Sequence, residues 1–211
     1  MPDLPEGVEH RVLIVLREHK DAALVQLARR GFTGDGSAAG SAPAARASVT
    51  SRATTPDPGE ARPASDGAPR APRTIVFCRT RAYTEHVTEL LRSAGLRAVA
   101  LHGDLSQARR ERNLEKFVLD KADVLVATDV AARGIHVDDV ELVLQADPPD
   151  DPKAYVHRAG RTGRVGGDGR LRPGTVLTVI PRTRQKRTRE LFAALGFEPA
   201  SFADYVPAGV S

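Results

Sequence analysis

The chain is 211 residues long, with 41% apolar and only 4% aromatic residues, enough for one buried core but not for a core along its whole length. Its formal charge of +4 comes from 31 basic against 27 acidic side chains, and only five of the basic ones are lysine; the balance permits a polyanionic partner, while an arginine, alanine and glycine bias equally fits a GC-rich genome. A single cysteine, Cys78, excludes a disulfide framework and a cysteine-based zinc site, and the absence of a long apolar run or a signal-peptide pattern leads us to expect a cytoplasmic protein without a membrane span.

Taken in chain order, "HRVLIVL" (10–16) reads as a buried strand. "HKDAALVQLARRG" reads as an amphipathic helix with Ala23, Leu24, Leu27 and Ala28 at helical spacing and Gly31 as its stop. Residues 1–30 are therefore expected to supply the first strand and helix of the domain. Residues 31–72 are dominated by Ala, Ser, Pro and Gly, with Phe32 and Val49 as the only large apolar side chains. Such a stretch cannot offset the entropy of ordering, and it is predicted to be a disordered insertion.

The main body, 73–196, alternates short apolar strands with helical stretches. Strands are predicted at 74–78, 98–102, 124–129, 141–147 and 175–180, and helices at about 82–93, 106–119, 154–158 and 184–195. Residues 197–211 are expected to form a C-terminal tail. Strands alternating with helices imply an α/β domain with a mainly parallel sheet covered on both faces. Ligands of such sheets bind beyond the C-terminal strand ends, where "CRT", "HGD", "ATDVAARG" and "QADPP" lie.

No lysine follows a glycine anywhere in the chain, so the phosphate-cradling G-x-x-x-x-G-K-[ST] pattern is absent. The six histidines show no metal-ligand spacing, and no metal site is expected. Arg158, Arg161 and Arg164 recur every third residue in "YVHRAGRTGRVG", a spacing that returns to nearly the same side of a turn. Gly160 and Gly163 leave room for a close approach. Thr128 or Asp129 is placed to cap the helix after its strand, and Ser106 to cap the helix that follows it.

"TIVFCRT", "LHGDLSQARRERNLEKF", "VLVATDVAARGIHV" and "YVHRAGRTGR" occur in this order, and together they resemble the second core domain of the DEAD-box RNA helicases over about residues 8–30 and 73–196. The resemblance implies a RecA-like three-layer domain that forms the C-terminal half of an ATP-dependent RNA helicase. It makes Arg161 and Arg164 arginine fingers toward the γ-phosphate of ATP with Mg2+, held mainly by a first core domain in trans or in a longer parent protein. His157, Arg158, Arg133, Gly134 and His136 then belong to the ATP and interdomain face, with His136 standing where the family commonly has Asp. Arg79, Thr80, Gly103, Gln107, Arg110 and Thr128 become contacts to the backbone of single-stranded RNA or a short duplex, without sequence preference. Alone, the chain is expected not to hydrolyse ATP. A non-enzymatic RNA-binding or regulatory module, or a truncated remnant, is the alternative.

Overall fold

The computed structural model describes residues 7–31, 71–133, 135, 137, 140–163 and 172–210. Residues 32–70, nearly all of the expected insertion, and the expected site residues Gly134, His136 and Arg164 lie outside the described residues.

The strands are β1 (Val8–Ile14), β2 (Thr74–Cys78), β3 (Ala98–Leu101), β4 (Val124–Thr128), β5 (Leu142–Gln145), β6 (Gly174–Ile180) and β7 (Ser201–Asp204). The helices are α1 (Lys20–Arg30), α2 (Arg81–Ser93), α3 (Gln107–Val118), α4 (Asp129–Ala132), α5 (Pro152–Ala159) and α6 (Gln185–Leu195). Among the described residues, these seven strands join one sheet in the order β3-β4-β2-β5-β6-β1-β7, and every pairing between them is parallel. The parallel, doubly covered sheet expected from the strand and helix pattern is therefore present.

The covering follows from the two-residue period of a strand. Ile75 and Phe77 point to one face, where Phe117 of α3, Ala131 of α4, Tyr155 of α5 and Leu191 of α6 meet them. Val76 and Cys78 point to the other, against Leu24 and Leu27 of α1 and Val87 and Leu91 of α2. β2, β3, β4 and β5 are buried at every position, which explains their near-continuous apolar runs. Each fully buried Leu or Phe contributes about 1.5–3 kcal/mol relative to exposure.

Local signals set most boundaries. Gly31 ends α1 with φ 70°, a conformation that costs glycine nothing. Thr80 accepts a hydrogen bond from the Tyr83 amide (3.2 Å), Ser106 from Arg109 (3.4 Å) and Asp151 from Ala154 (3.2 Å), capping α2, α3 and α5. Ser201–Asp204 forms β7, in register with β1 from Arg11↔Ser201 to Ile14↔Asp204, and Tyr205 is buried beyond it. β7 is an edge strand with Ser201 and Phe202 half-exposed and Ala203 and Asp204 exposed, so it carries no apolar run by which to find it.

Candidate functional site

Because the strands are parallel, the segments that follow β1 to β6 all leave from one rim of the sheet. Arg158, near the end of α5, joins several of them from beneath. Its Nε and Nη2 fork onto the two carboxylate oxygens of Asp129 at 2.6 and 2.5 Å. Its Nη1 donates to Gln145 Oε1 (3.1 Å) and to the Asp147 carbonyl (2.6 Å), and the guanidinium lies 5.0 Å from the Phe77 ring centre. Only 3% of the side chain is exposed. A charge this buried is tolerated because a planar bidentate fork satisfies it.

Two expectations change here. Arg158 turns its guanidinium into its own domain rather than outward. The cap expected of Thr128 or Asp129 is not made either: Thr128 holds the N-cap position of α4 without a side-chain cap bond, and the Asp129 carboxylate is taken by Arg158.

Arg161 lies past the helix. α5 ends at Ala159, and Gly160 closes it, its amide donating a hydrogen bond to the Val156 carbonyl (2.8 Å). Gly163 then turns the chain at φ 71°. Arg158 and Arg161 therefore do not share one exposed face, despite their spacing. Arg161 Nη1 donates to the Ile135 carbonyl at 2.9 Å and Nη2 to that of Ala132 at 3.5 Å. These bonds hold it at a cavity of about 230 Å³ lined by Asp129, Arg133, Ala154, His157, Arg158 and Arg161.

Two residues that sequence reasoning passed over fix the turn. The Thr162 hydroxyl donates to the Val140 carbonyl, while the Val140 amide donates to the Arg161 carbonyl (3.1 Å). Gly174, at the start of β6, packs so tightly behind them that an added Cβ would lie 2.1 Å from Thr162 Oγ1 and 2.7 Å from the Gly163 nitrogen. No local pattern marks Gly174, because its constraint comes from a segment distant in the chain.

Chemically, the cavity offers cationic and N–H donors in Arg133, His157 and Arg161, while the carboxylate of Asp129 is matched by Arg158. That set fits the terminal oxygens of a phosphate. It does not fit Mg2+, which takes oxygen ligands. Among the described residues, no group of three or more His, Cys, Asp or Glu side chains is arranged to hold a metal ion.

The residues expected to touch nucleic acid lie along one stretch of the rim. Gly103 follows β3, Thr128 ends β4, and Arg79 with Thr80 follows β2; these three strands are consecutive in the sheet. Arg79, Thr80, Gly103 and Gln107 are exposed, Arg110 is half-buried and Thr128 is buried. Thr80 caps α2 with its oxygen as acceptor, which leaves the hydroxyl proton able to donate. A Cβ on Gly103 would meet nothing within 4 Å, so the space above its backbone is open. Gln107 donates to Glu111 at 2.7 Å, and Arg110 Nε is buried with no hydrogen-bond partner among the described residues. Burial pushes the Cys78 thiol up to about 12, which keeps it unreactive.

Residues 68–166 match the model of the helicase conserved C-terminal domain. Over 96 residues the chain is 52% identical to the ATP-dependent rRNA helicase RRP3 of Scheffersomyces stipitis, a stretch covering 46% of this chain and 20% of that protein. The DEAD box protein of the hyperthermophile Methanococcus jannaschii superposes with a TM-score of 0.67 at 27% identity, over 93% of this chain and 42% of the other. This is a C-terminal RecA-like helicase domain, similar to those of DEAD-box proteins. The helicase domain also resembles RRP3 of Gibberella zeae, at 43% identity over 129 residues covering 61% of this chain and 26% of that one. Among solved structures, the DEAD-box protein SrmB of E. coli, bound to a regulator of ribonuclease activity, is matched at 28% identity with a TM-score of 0.66; the match covers 94% of this chain and 91% of that one. The chain spans about a fifth of the length of the curated relatives it matches.

Proposed function

We propose that this helicase domain is one jaw of a two-domain, ATP-dependent RNA helicase. It presents Arg161, together with Arg164, to the γ-phosphate of an ATP held with Mg2+ by a first core domain in trans or in a longer parent protein. The observation that carries the reading is the setting of Arg161. Two backbone carbonyls hold its guanidinium at a cavity rich in donors, and these 211 residues contain no phosphate-cradling lysine loop. A guanidinium oriented in advance stabilises charge that develops on the transferred phosphoryl group without reorganising during the reaction.

In this reading Arg133, His157, Gly134 and His136 border the nucleotide and the opposing domain, and Arg158 acts through its hold on Asp129 rather than by touching ligand. Arg79, Thr80, Gly103, Gln107, Arg110 and Thr128 hold the phosphates and sugars of single-stranded RNA or a short duplex. Such contacts are indifferent to sequence and weaken steeply with salt. A cytoplasmic setting fits a chain with one buried thiol.

The test is RNA-stimulated ATP hydrolysis. The purified chain is expected to be inactive, and mixing it with, or fusing it to, a DEAD-box first domain is expected to create activity. Arg161→Ala is expected to lower the rate of that mixture by about 10³-fold or more. Hydrolysis by the chain alone, or a mixture indifferent to Arg161→Ala, would overturn the proposal.

A further inference from the structure

The rim of the sheet does not stop at β2. Past the C-terminal ends of β2, β5, β6 and β1 runs an open cleft of about 830 Å³, with Arg17, Lys20, Arg79 and Arg184 among its lining residues. Inside the cleft the charges are largely matched. Asp147 receives Lys20 Nζ and the Arg79 amide, both at 3.0 Å, and Asp21 lies 2.7 Å from His86 Nε2.

At the edge they are not. Asp150 is shared by three guanidiniums: Arg184 Nη2 at 2.7 Å, Arg187 Nε at 3.0 Å and Arg79 Nη2 at 3.4 Å. One carboxylate against three cations leaves an excess of two positive charges at this point of the surface. Burial raises the Asp150 carboxyl, but the hydrogen bond and charge of Arg184, with the charges of Arg79 and Arg187, outweigh it and hold the group below its ordinary value. It is ionised at neutral pH, a built-in anion where a phosphate would fit. The Arg79 and Arg187 side chains are 50% and 62% exposed, so a ligand reaches them from solvent.

We propose that Arg79, Arg184 and Arg187 form a second phosphate-binding station that extends the RNA track beyond its core contacts, with Asp150 as the internal anion that incoming RNA phosphates displace. The inference rests on the reading of Arg79 as an RNA contact. Arg79 follows β2, the last of the three strands whose ends carry the core contacts, and β5 with its Asp150 loop is the next strand in the sheet. The cluster thus continues the same rim. It is all arginine, whose planar fork engages phosphate oxygens in pairs. Bases are not read here: the Tyr83 ring is covered by Lys20 at 4.6 Å and stacked on His86 at 5.8 Å. The station therefore takes backbone and lengthens the footprint without adding sequence preference.

The test measures binding of the full chain to fluorescent oligouridines of about six and about sixteen nucleotides, within the range of site sizes of single-strand binders, across a salt series. The double variant Arg184→Ala/Arg187→Ala is expected to weaken the long oligomer about tenfold, to reduce its slope of log affinity against log salt by about 1 to 1.5, and to leave the short one within about twofold. Asp150→Asn is expected to tighten the long oligomer several-fold. Unchanged binding of the long oligomer to the double variant, equal weakening of both lengths, or no gain from Asp150→Asn overturns the station. Polyglutamate competing as well as polyuridine at equal charge assigns the edge to an acidic protein instead and also overturns it. Arg110→Ala separates the two readings: loss of short-oligomer binding upholds the core track whatever the station does, and its absence overturns the core track. Failure of the wild-type chain to bind either oligomer at low salt overturns both. The substituted side chains are exposed or half-exposed, and matched melting temperatures confirm that the fold is unaltered.

Discussion

The two sides of α5 and its following turn contrast sharply. On the buried side, Tyr155, Arg158 and Ala159 face the core; on the open side, Ala154, His157 and Arg161 line the cavity. Arg158 and Arg161 are the same residue type three positions apart, yet one fastens the ends of β4 and β5 to the helix while the other is held outward by two carbonyls. What lies beneath a guanidinium decides its use. Above Gln145 and Asp129 it becomes part of the scaffold, and past the end of the helix it lines the cavity.

The contrast is broken most directly by exchanging the outcomes of two substitutions. Arg161→Ala is expected to remove activity from a two-domain unit while leaving thermal stability nearly unchanged. Arg158→Ala is expected to do the reverse in kind, destabilising the chain by about 3–5 kcal/mol because Asp129 and Gln145 lose their partner. Urea unfolding of the two variants compares them. Arg158→Lys keeps the charge but not the fork, so it should recover only part of the loss.

The buried side also predicts a pH dependence. His10 Nδ1 lies 2.8 Å from the Tyr155 hydroxyl, and its ring meets Phe197 edge-on. Burial lowers its pKa from an ordinary 6.5 to about 4. Between those values the unfolded chain holds the proton and the folded one does not. Stability is therefore full above about pH 6.5 and falls as the pH drops toward 4, by at most about 3 kcal/mol from this group. His10→Gln should flatten the fall measured between pH 7.5 and 4.5; an unchanged slope would remove His10 from the account.

A smaller effect is expected at the back of the turn. Gly174→Ala drives a methyl into Thr162 and should cost about 1–3 kcal/mol. Because the same turn carries Arg161, activity of the two-domain unit should fall more than stability alone explains. A drop in melting temperature with unaltered turnover would show that the turn adjusts without moving Arg161.

Most of the architecture was legible beforehand for a simple reason: β2, β3, β4 and β5 are buried on both faces, and burial on both faces writes an apolar run into the chain. β7 was not legible, because its side chains are half-exposed or exposed, unlike those of β3 at the opposite edge, which are buried throughout. Of the candidate site, the segments carrying Arg79, Gly103 and Thr128 were visible as motifs at strand ends, and the one carrying Arg161 as a run of spaced arginines. The division of labour between Arg158 and Arg161 was not. A three-residue spacing implies a shared face only while the helix continues, and here it stops at Ala159. The roles of Asp129, Gln145 and Gly174 were not legible because they come from contacts with segments remote in the chain.

The position of β1 carries a consequence for how the chain folds. Among the described residues, its strand neighbours are β6 and β7, the last two described strands in the sequence. During synthesis β1 emerges before the other described strands and cannot pair with them until β6 and β7 have followed. The central pairings of β2 with β4 and β5 close over much shorter stretches of chain and can form earlier. Completion of the sheet is then a late event governed by long loop closure, slow relative to local helix formation. Until it occurs, β6 lacks its neighbour and stands as an open edge.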